Sequence, residues 1–270
     1  MNHRRRARRA LLFLILIAVL SLGATAQQKL MIVGGGKRPP EALARFVEWA
    51  GGAARARVLI VTWASGEPAE SFAAIEKDFA AHKVAALENA PYAPLTAETR
   101  ARFLARLGAS TAVFFTGGDQ NRIMEVLKDE AVLAALRAKY ETGAPFGGTS
   151  AGAAVMSDPM MTGEADLSVI DGGKVGVRPG LGLLPRTMID QHFIRRQRQN
   201  RLFGFVLANP SMLGVGVDED TALLVRDNRR AEVAGASGVM IVDAAGRNGA
   251  LLVYLLKAGE KFDLKKRKRD

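Results

Sequence analysis

Apolar runs of strand length alternate along the chain with stretches whose apolar residues recur every three or four positions. Residues 29–33, 57–62 and 111–115 are near-continuous apolar runs and predict buried strands, with 83–87 and 144–147 as shorter ones. Between them, 41–50 places Leu43, Phe46, Val47 and Ala50 at helical spacing, and 69–82 does the same with Phe72, Ile75 and Phe79. Residues 96–107 read as a helix capped by Thr96 with Glu98 in its first turn, and 121–127 and 131–141 are helical in pattern. Beyond residue 166 the pattern loosens: 166–179 is rich in Gly and polar residues and predicts a surface loop, and shorter strands are expected near 213–217, 222–225 and 238–242. Strands without polar alternation, separated by helices, need both faces covered. They predict a mainly parallel sheet in a three-layer, doubly wound α/β sandwich. Ligands bind such sheets beyond the carboxyl ends of the strands. The glycine-rich turns at 34–36, 117–118 and 148–152 fall there.

The first 26 residues differ from the rest. Arg4, Arg5, Arg6, Arg8 and Arg9 precede an apolar run over 10–22, and Ala24-Thr25-Ala26 supplies small residues at the spacing of a cleavage site. This layout predicts a signal peptide removed after Ala26, and hence a secreted or periplasmic protein. An uncleaved anchor is the alternative, and Arg8-Arg9 leaves twin-arginine export open. The run is shorter than the roughly 18 apolar residues a membrane span needs, so no stable span is expected once the signal is cleaved. Residues 27–257 then read as a single domain, long enough to bury a core unaided. The chain has no cysteine, which excludes a thiol nucleophile, a thiolate metal site and a disulfide framework. Losing those five arginines, with no acids among residues 1–26, takes the formal charge from +11 to +6. Part of that charge lies in 258–270, where Lys265, Lys266, Arg267, Lys268 and Arg269 predict a solvated, frayed tail or an anchor for polyanions.

Gly148-Thr149-Ser150-Ala151-Gly152 matches G-x-S-x-G between an expected strand and an expected helix. A serine on such a turn is held in a strained conformation, and the N–H of the next residue, Ala151, points at a developing oxyanion. A serine needs a base. Downstream of the leader the chain has two histidines. His82 ends a charged helix, where a cation is favourable. His192 therefore remains as the candidate base, against the alternative of a structural histidine. The third member of a triad is a carboxylate that orients the imidazole. Asp218-Glu219-Asp220 follows an expected strand; its other reading is a solvated turn. The order Ser, His, acid is not that of α/β-hydrolases.

Several segments in order, Phe114–Gln120, Gly147–Met160, Gly180–Pro185, Ile189–Phe193 with its following arginines, and Gly216–Ala222, resemble cyanophycinase and its relatives in peptidase family S51, aspartyl dipeptidase (peptidase E) among them. The resemblance implies a class I glutamine amidotransferase-like, flavodoxin-like fold. It implies Ser150 as nucleophile, His192 as base and Glu219 as orienting acid, with Gly118 and Ala151 supplying oxyanion N–H groups. It also implies Gln120, Asp190, Gln191, Arg196, Arg198 and Arg201 as substrate-pocket residues, on a peptidase of β-aspartyl-arginine bonds. Arg198 and Arg201 would share one face of an arginine-rich helix and clamp a substrate carboxylate. The expected partner is a peptide or an aspartate–arginine polymer. No nucleic acid, metal or organic cofactor is expected, and a homodimer is left open. Two alternatives stand beside this reading: an α-aspartyl or isoaspartyl dipeptidase of the same family, and an inactive secreted protein that binds acidic ligands.

Overall fold

The structure is a computed structural model describing residues 27–270, so the expected signal peptide lies outside the described residues. The parallel half of the main sheet follows the apolar runs: β1 (Lys29–Val33), β2 (Arg57–Val61), β3 (Ala86–Asn89), β4 (Ala112–Phe115) and β5 (Phe146–Thr149). They lie in the order β1-β5-β4-β2-β3, each parallel to its neighbours. Helices α1 (Pro40–Trp49), α2 (Pro68–Phe79), α3 (Ala97–Ala109), α4 (Gln120–Val126), α5 (Glu130–Glu141) and α6 (Ala151–Ala154) connect or follow these strands. Pro40 and Pro68 open their helices where the missing N–H costs nothing. Thr96 caps α3 reciprocally with Thr99, as its hydroxyl accepts from Thr99 N at 3.2 Å.

Successive strand residues point to opposite faces, so the sheet divides the core in two. Met31, Val33, Val58, Ile60 and Phe114 face α1 and α2, while Leu30, Ile32, Leu59, Val61 and Phe115 face α3 to α6.

The α/β sandwich is present, and its sheet continues beyond the parallel half. After β6 (Met160–Ala165), β7 (Val175–Arg178), β8 (Thr187–Asp190), α7 (Gln199–Ala208) and β9 (Leu213–Val217) come β10 (Thr221–Arg226) and β11 (Arg230–Gly235), which extend it antiparallel from β1. A second sheet has the order β13-β12-β9-β8, with β12 (Gly238–Asp243) and β13 (Leu252–Lys257).

Two expectations are corrected here. Residues 166–179 are not all loop, because Val175–Arg178 pairs antiparallel with β6. The basic tail is not frayed. Lys261–Asp263 forms β14 on β11, and Lys268–Arg269 forms β15, the edge of the nine-stranded sheet. Phe262 and Leu264 are buried, and Arg267 and Arg269 pair with Asp243 and Glu260. The apolar pair inside a basic segment supplies burial, while its two arginines find carboxylates. The folded domain therefore runs to the end of the chain rather than stopping at 257.

Candidate active site

Three turns meet beyond the carboxyl end of β1, and the glycine turn that follows β1 ties them together. The N–H of Ser150 donates to Val33 O at 3.0 Å, that of His192 to Gly34 O at 2.7 Å, and that of Asp220 to Gly35 O at 3.0 Å. Each of these three residues has a positive φ: Ser150 53°, His192 49° and Asp220 56°. Such backbones cost about 1–3 kcal/mol each and persist only where the surroundings over-determine them. Three consecutive carbonyls, each taken by a different turn, supply that determination. The sequence pattern singled out Ser150 but not this hub; the signal was the Gly34-Gly35-Gly36 run itself.

Ser150 Oγ lies 2.8 Å from His192 Nε2, and His192 Nδ1 lies 2.6 Å from Glu219 Oε1. A carboxylate at Nδ1 accepts a hydrogen bond from an N–H there, which keeps the proton on Nδ1 and leaves the Nε2 lone pair facing the serine hydroxyl. Burial pushes the His192 pKa below its ordinary value; the Glu219 hydrogen bond opposes this, and the charges of Arg196 and then Arg198 act with burial. The imidazole is therefore neutral at neutral pH and able to take a proton.

The three acids at 218–220 have separate partners, which removes the apparent repulsion. Asp218 Oδ1 accepts from the N–H groups of Ile194 and Arg195 at 3.0 and 2.9 Å, and Oδ2 accepts from Ser237 Oγ at 2.7 Å. Burial pushes its pKa up, but these donors pull it down further, so it stays ionised and holds the turn after His192. Asp220 Oδ1 accepts from Lys37 N at 2.5 Å and closes the glycine turn. Only Glu219 reaches the imidazole.

The arginines depart from expectation. Residues 193–198 form turns, and α7 begins at Gln199, so no arginine-rich helix presents Arg198 and Arg201 as a clamp. Arg201 is 2% exposed and binds Asp190 through both carboxylate oxygens, with Nε at 2.7 Å from Oδ2 and the second nitrogen on Oδ1. Asp190, at 1% exposure, is its counter-ion rather than an open pocket group. The physical reason is desolvation: two buried charges of opposite sign pair with each other. Arg198 donates to Gln191 O at 2.8 Å and sits 3.6 Å from Asp190 Oδ1. Burial, the neighbouring Arg201 charge and others push its pKa down to about 10, so it remains charged at neutral pH. Arg196 is exposed and acts electrostatically on His192. Gln191 Oε1 lies 3.4 Å from Ser150 Oγ, whereas Gln120 is turned away to donate to Met161 O at 2.8 Å, fastening β6.

Gly118 has φ 134°, and a Cβ there would lie 2.1 Å from Ala64 O, so the turn before α4 packs directly on the segment leaving β2. Ala151 opens α6, where a backbone N–H has no partner within the helix. Along the segment leaving β2 and the face of α4 lies a cavity of ≈ 480 Å³ whose lining includes Trp63, Ser65, Tyr92, Leu95, Arg122 and Val126.

A model of peptidase family S51 matches residues 30–233. The chain belongs to peptidase family S51. It is 34% identical over 235 residues to a cyanophycinase of Trichormus variabilis, covering 80% of this chain and 78% of that protein. It is 30% identical over 132 residues to a peptidase E of Actinobacillus pleuropneumoniae, covering 46% of this chain and 54% of that protein. The crystal structure of a peptidase from an acI-B1 Actinobacterium superposes with a TM-score of 0.67 at 19% identity, covering 88% of this chain and 97% of that one. The S51 assignment makes this protein a peptidase; its fold is the α/β sandwich the strand pattern led us to expect, with a sheet that is mixed because β10, β11, β14 and β15 add antiparallel strands to the parallel half.

In this S51 peptidase, a methyl added at Gly35 would strike the His192 ring. The Gly35 φ is 122°, and a Cβ would sit 2.2 Å from His192 Cε1. Gly35→Ala is expected to lower kcat by about 100-fold, the scale of an ångström-level misplacement of a catalytic group. Steady-state kinetics alongside thermal unfolding checks this; a kcat within threefold of wild type would show that the ring tolerates the methyl.

Proposed function

We propose that this S51 peptidase is an exported serine hydrolase of β-aspartyl peptide bonds, aspartate–arginine linkages included, working through Ser150, His192 and Glu219. The observation that carries this reading is the unbroken relay from Ser150 Oγ through the His192 ring to Glu219 Oε1, at 2.8 and 2.6 Å. His192 Nε2 takes the hydroxyl proton as Oγ attacks the aspartyl carbonyl carbon, and Glu219 stabilises the imidazolium that forms. The N–H groups of Gly118 and Ala151 hold the oxyanion; one such donor is worth about 3 kcal/mol. The imidazolium then protonates the leaving amine. Water, deprotonated by the same nitrogen, attacks the acyl carbon and frees Ser150. Arg196 and Arg198, whose charges reach His192, offer a free substrate carboxylate a cationic neighbour. The relatedness to cyanophycinase supports the aspartate–arginine linkage, and the leader-like residues 1–26 support export.

The test is incubation of the purified protein with an aspartate–arginine polymer and with α- and β-aspartyl dipeptides, the products being identified by mass spectrometry. Cleavage of the β-aspartyl dipeptides to aspartate and the free partner amino acid supports the proposal; cleavage of α-linked dipeptides alone favours the peptidase E-like reading, and release of intact β-aspartyl-arginine from the polymer would show that the β-aspartyl bond is spared. The depressed pKa of His192 makes a second expectation. The base must be neutral, so kcat/KM rises with pH and reaches half its plateau below pH 6.5, the ordinary histidine value. A pH–rate profile whose acid limb lies above 6.5 would contradict it.

A further inference from the structure

The cavity lined by Trp63, Tyr92 and Arg122 is built unlike a site for a basic side chain. It is joined to the serine turn through Ser65, which lines it and packs on the Gly117-Gly118 turn. Gly117 faces Ser150, whose Cβ would lie 3.3 Å from an added methyl, and Gly118 packs on Ala64 and Ser65, the latter lining the cavity. Arg122 follows four residues after Gly118, at most about 14 Å along the backbone. Its Nη1 would stand 3.5 Å from a Cβ on Gly66, so the guanidinium covers the segment leaving β2. Among the described residues it makes no ion pair, and it lines the cavity.

The two acids of the cavity are already engaged. Glu125 binds Lys128 and Arg178, and Asp129 caps α5 and pairs with Arg100 at 3.2 Å. With Arg122, four cations surround two carboxylates, which opposes a second guanidinium and favours a carboxylate guest. Apart from Thr62 and Ser65 the remaining wall is apolar, with the buried Trp63, the half-buried Leu95 and Val126 and the half-exposed ring of Tyr92.

We propose that this cavity is the leaving-side subsite of the peptidase, taking an aromatic or large aliphatic residue whose free carboxylate binds Arg122. This rests on the aspartyl-hydrolase reading. When a terminal aspartyl residue ends the acyl side of a short substrate, the rest of the peptide lies on the leaving side. Aspartate–arginine substrates are still cleaved, but less efficiently than those whose leaving residue is apolar.

The experiment compares β-Asp-Phe, its C-terminal amide, β-Asp-Gly and β-Asp-Arg. With wild type, kcat/KM for β-Asp-Phe should exceed that for β-Asp-Arg by about tenfold, and amidation should cost about tenfold, mostly in KM. In Arg122→Gln the acid-to-amide ratio should fall to near one, and in Tyr92→Ala the Phe-to-Gly ratio should fall. A preference for arginine, or an unchanged acid-to-amide ratio in Arg122→Gln, overturns the proposal while leaving the hydrolase reading intact. If wild type turns over none of these peptides, the hydrolase reading fails. Calorimetric binding of β-Asp-Phe to the Ser150→Ala protein then decides the cavity by itself. A tenfold weakening on adding Arg122→Gln supports the subsite, and equal binding overturns it.

Discussion

Ser150→Ala is expected to slow turnover of aspartyl peptides by about 10⁶-fold, the scale on which a triad serine acts. The reason is specific to this geometry. Removing Oγ leaves His192 and Glu219 in place, because their positions depend on the Gly34 carbonyl and on each other rather than on the hydroxyl. What vanishes is the hydroxyl oxygen to which the proposed mechanism gives the acyl-enzyme bond. The backbone at Ser150 keeps its φ of 53° through the hydrogen bond to Val33 O, so thermal unfolding should move little. A serine-directed phosphonate should label wild type once, at the peptide carrying Ser150, and leave the variant unlabelled. Retained activity within tenfold of wild type, or labelling at another residue, would remove Ser150 from the mechanism.

Arg201→Ala is expected to act on stability first, lowering it by about 3–5 kcal/mol. For a domain of this size that corresponds to a Tm lower by about 10 °C. Asp190 has no solvent-exposed side-chain surface, and Arg201 covers both of its oxygens. Deleting the cation removes the two-point partner of a buried carboxylate at the end of β8, one residue before Gln191 and two before His192, and leaves it only Arg198 at 3.6 Å. Activity falls as a consequence of that displacement. The paired change Asp190→Asn with Arg201→Met should be less destabilising than Arg201→Ala, because the buried carboxylate goes together with its cation and Arg198 keeps its bond to Gln191 O at 2.8 Å. Thermal unfolding of the three variants separates this from a substrate-clamp role. A clamp would raise KM while leaving Tm within a degree of wild type.

These two residues mark the boundary between what a linear pattern carries and what it does not. Ser150 announces itself because a strained serine turn needs small neighbours at fixed spacing, and Gly148 and Gly152 are adjacent in the chain. Arg201 does not, because an arginine that binds substrate and one that neutralises a buried aspartate have the same local sequence. Only burial distinguishes them. The same holds for the basic tail, where the lysines and arginines dominate the local sequence and only pairing with β11 shows Phe262 buried, with Leu264 buried beside it. The Asp218-Glu219-Asp220 run shows the complementary case. The pattern placed an acid there, and the separate donors to each carboxylate assigned the roles.

The sequence by itself determined the alternation of apolar strands and amphipathic helices, and with it the α/β sandwich, because burial of a two-faced sheet is written in residue type and spacing. It also determined the serine turn and the residues from which a base and an acid could come. The tertiary structure decided which charges are partnered, how the chain's last strands extend the sheet, and that three turns far apart in sequence share the carbonyls of Val33, Gly34 and Gly35. Those outcomes depend on the distances between segments that local preference does not encode, and on a desolvation cost that exists only once the chain has folded around the charge.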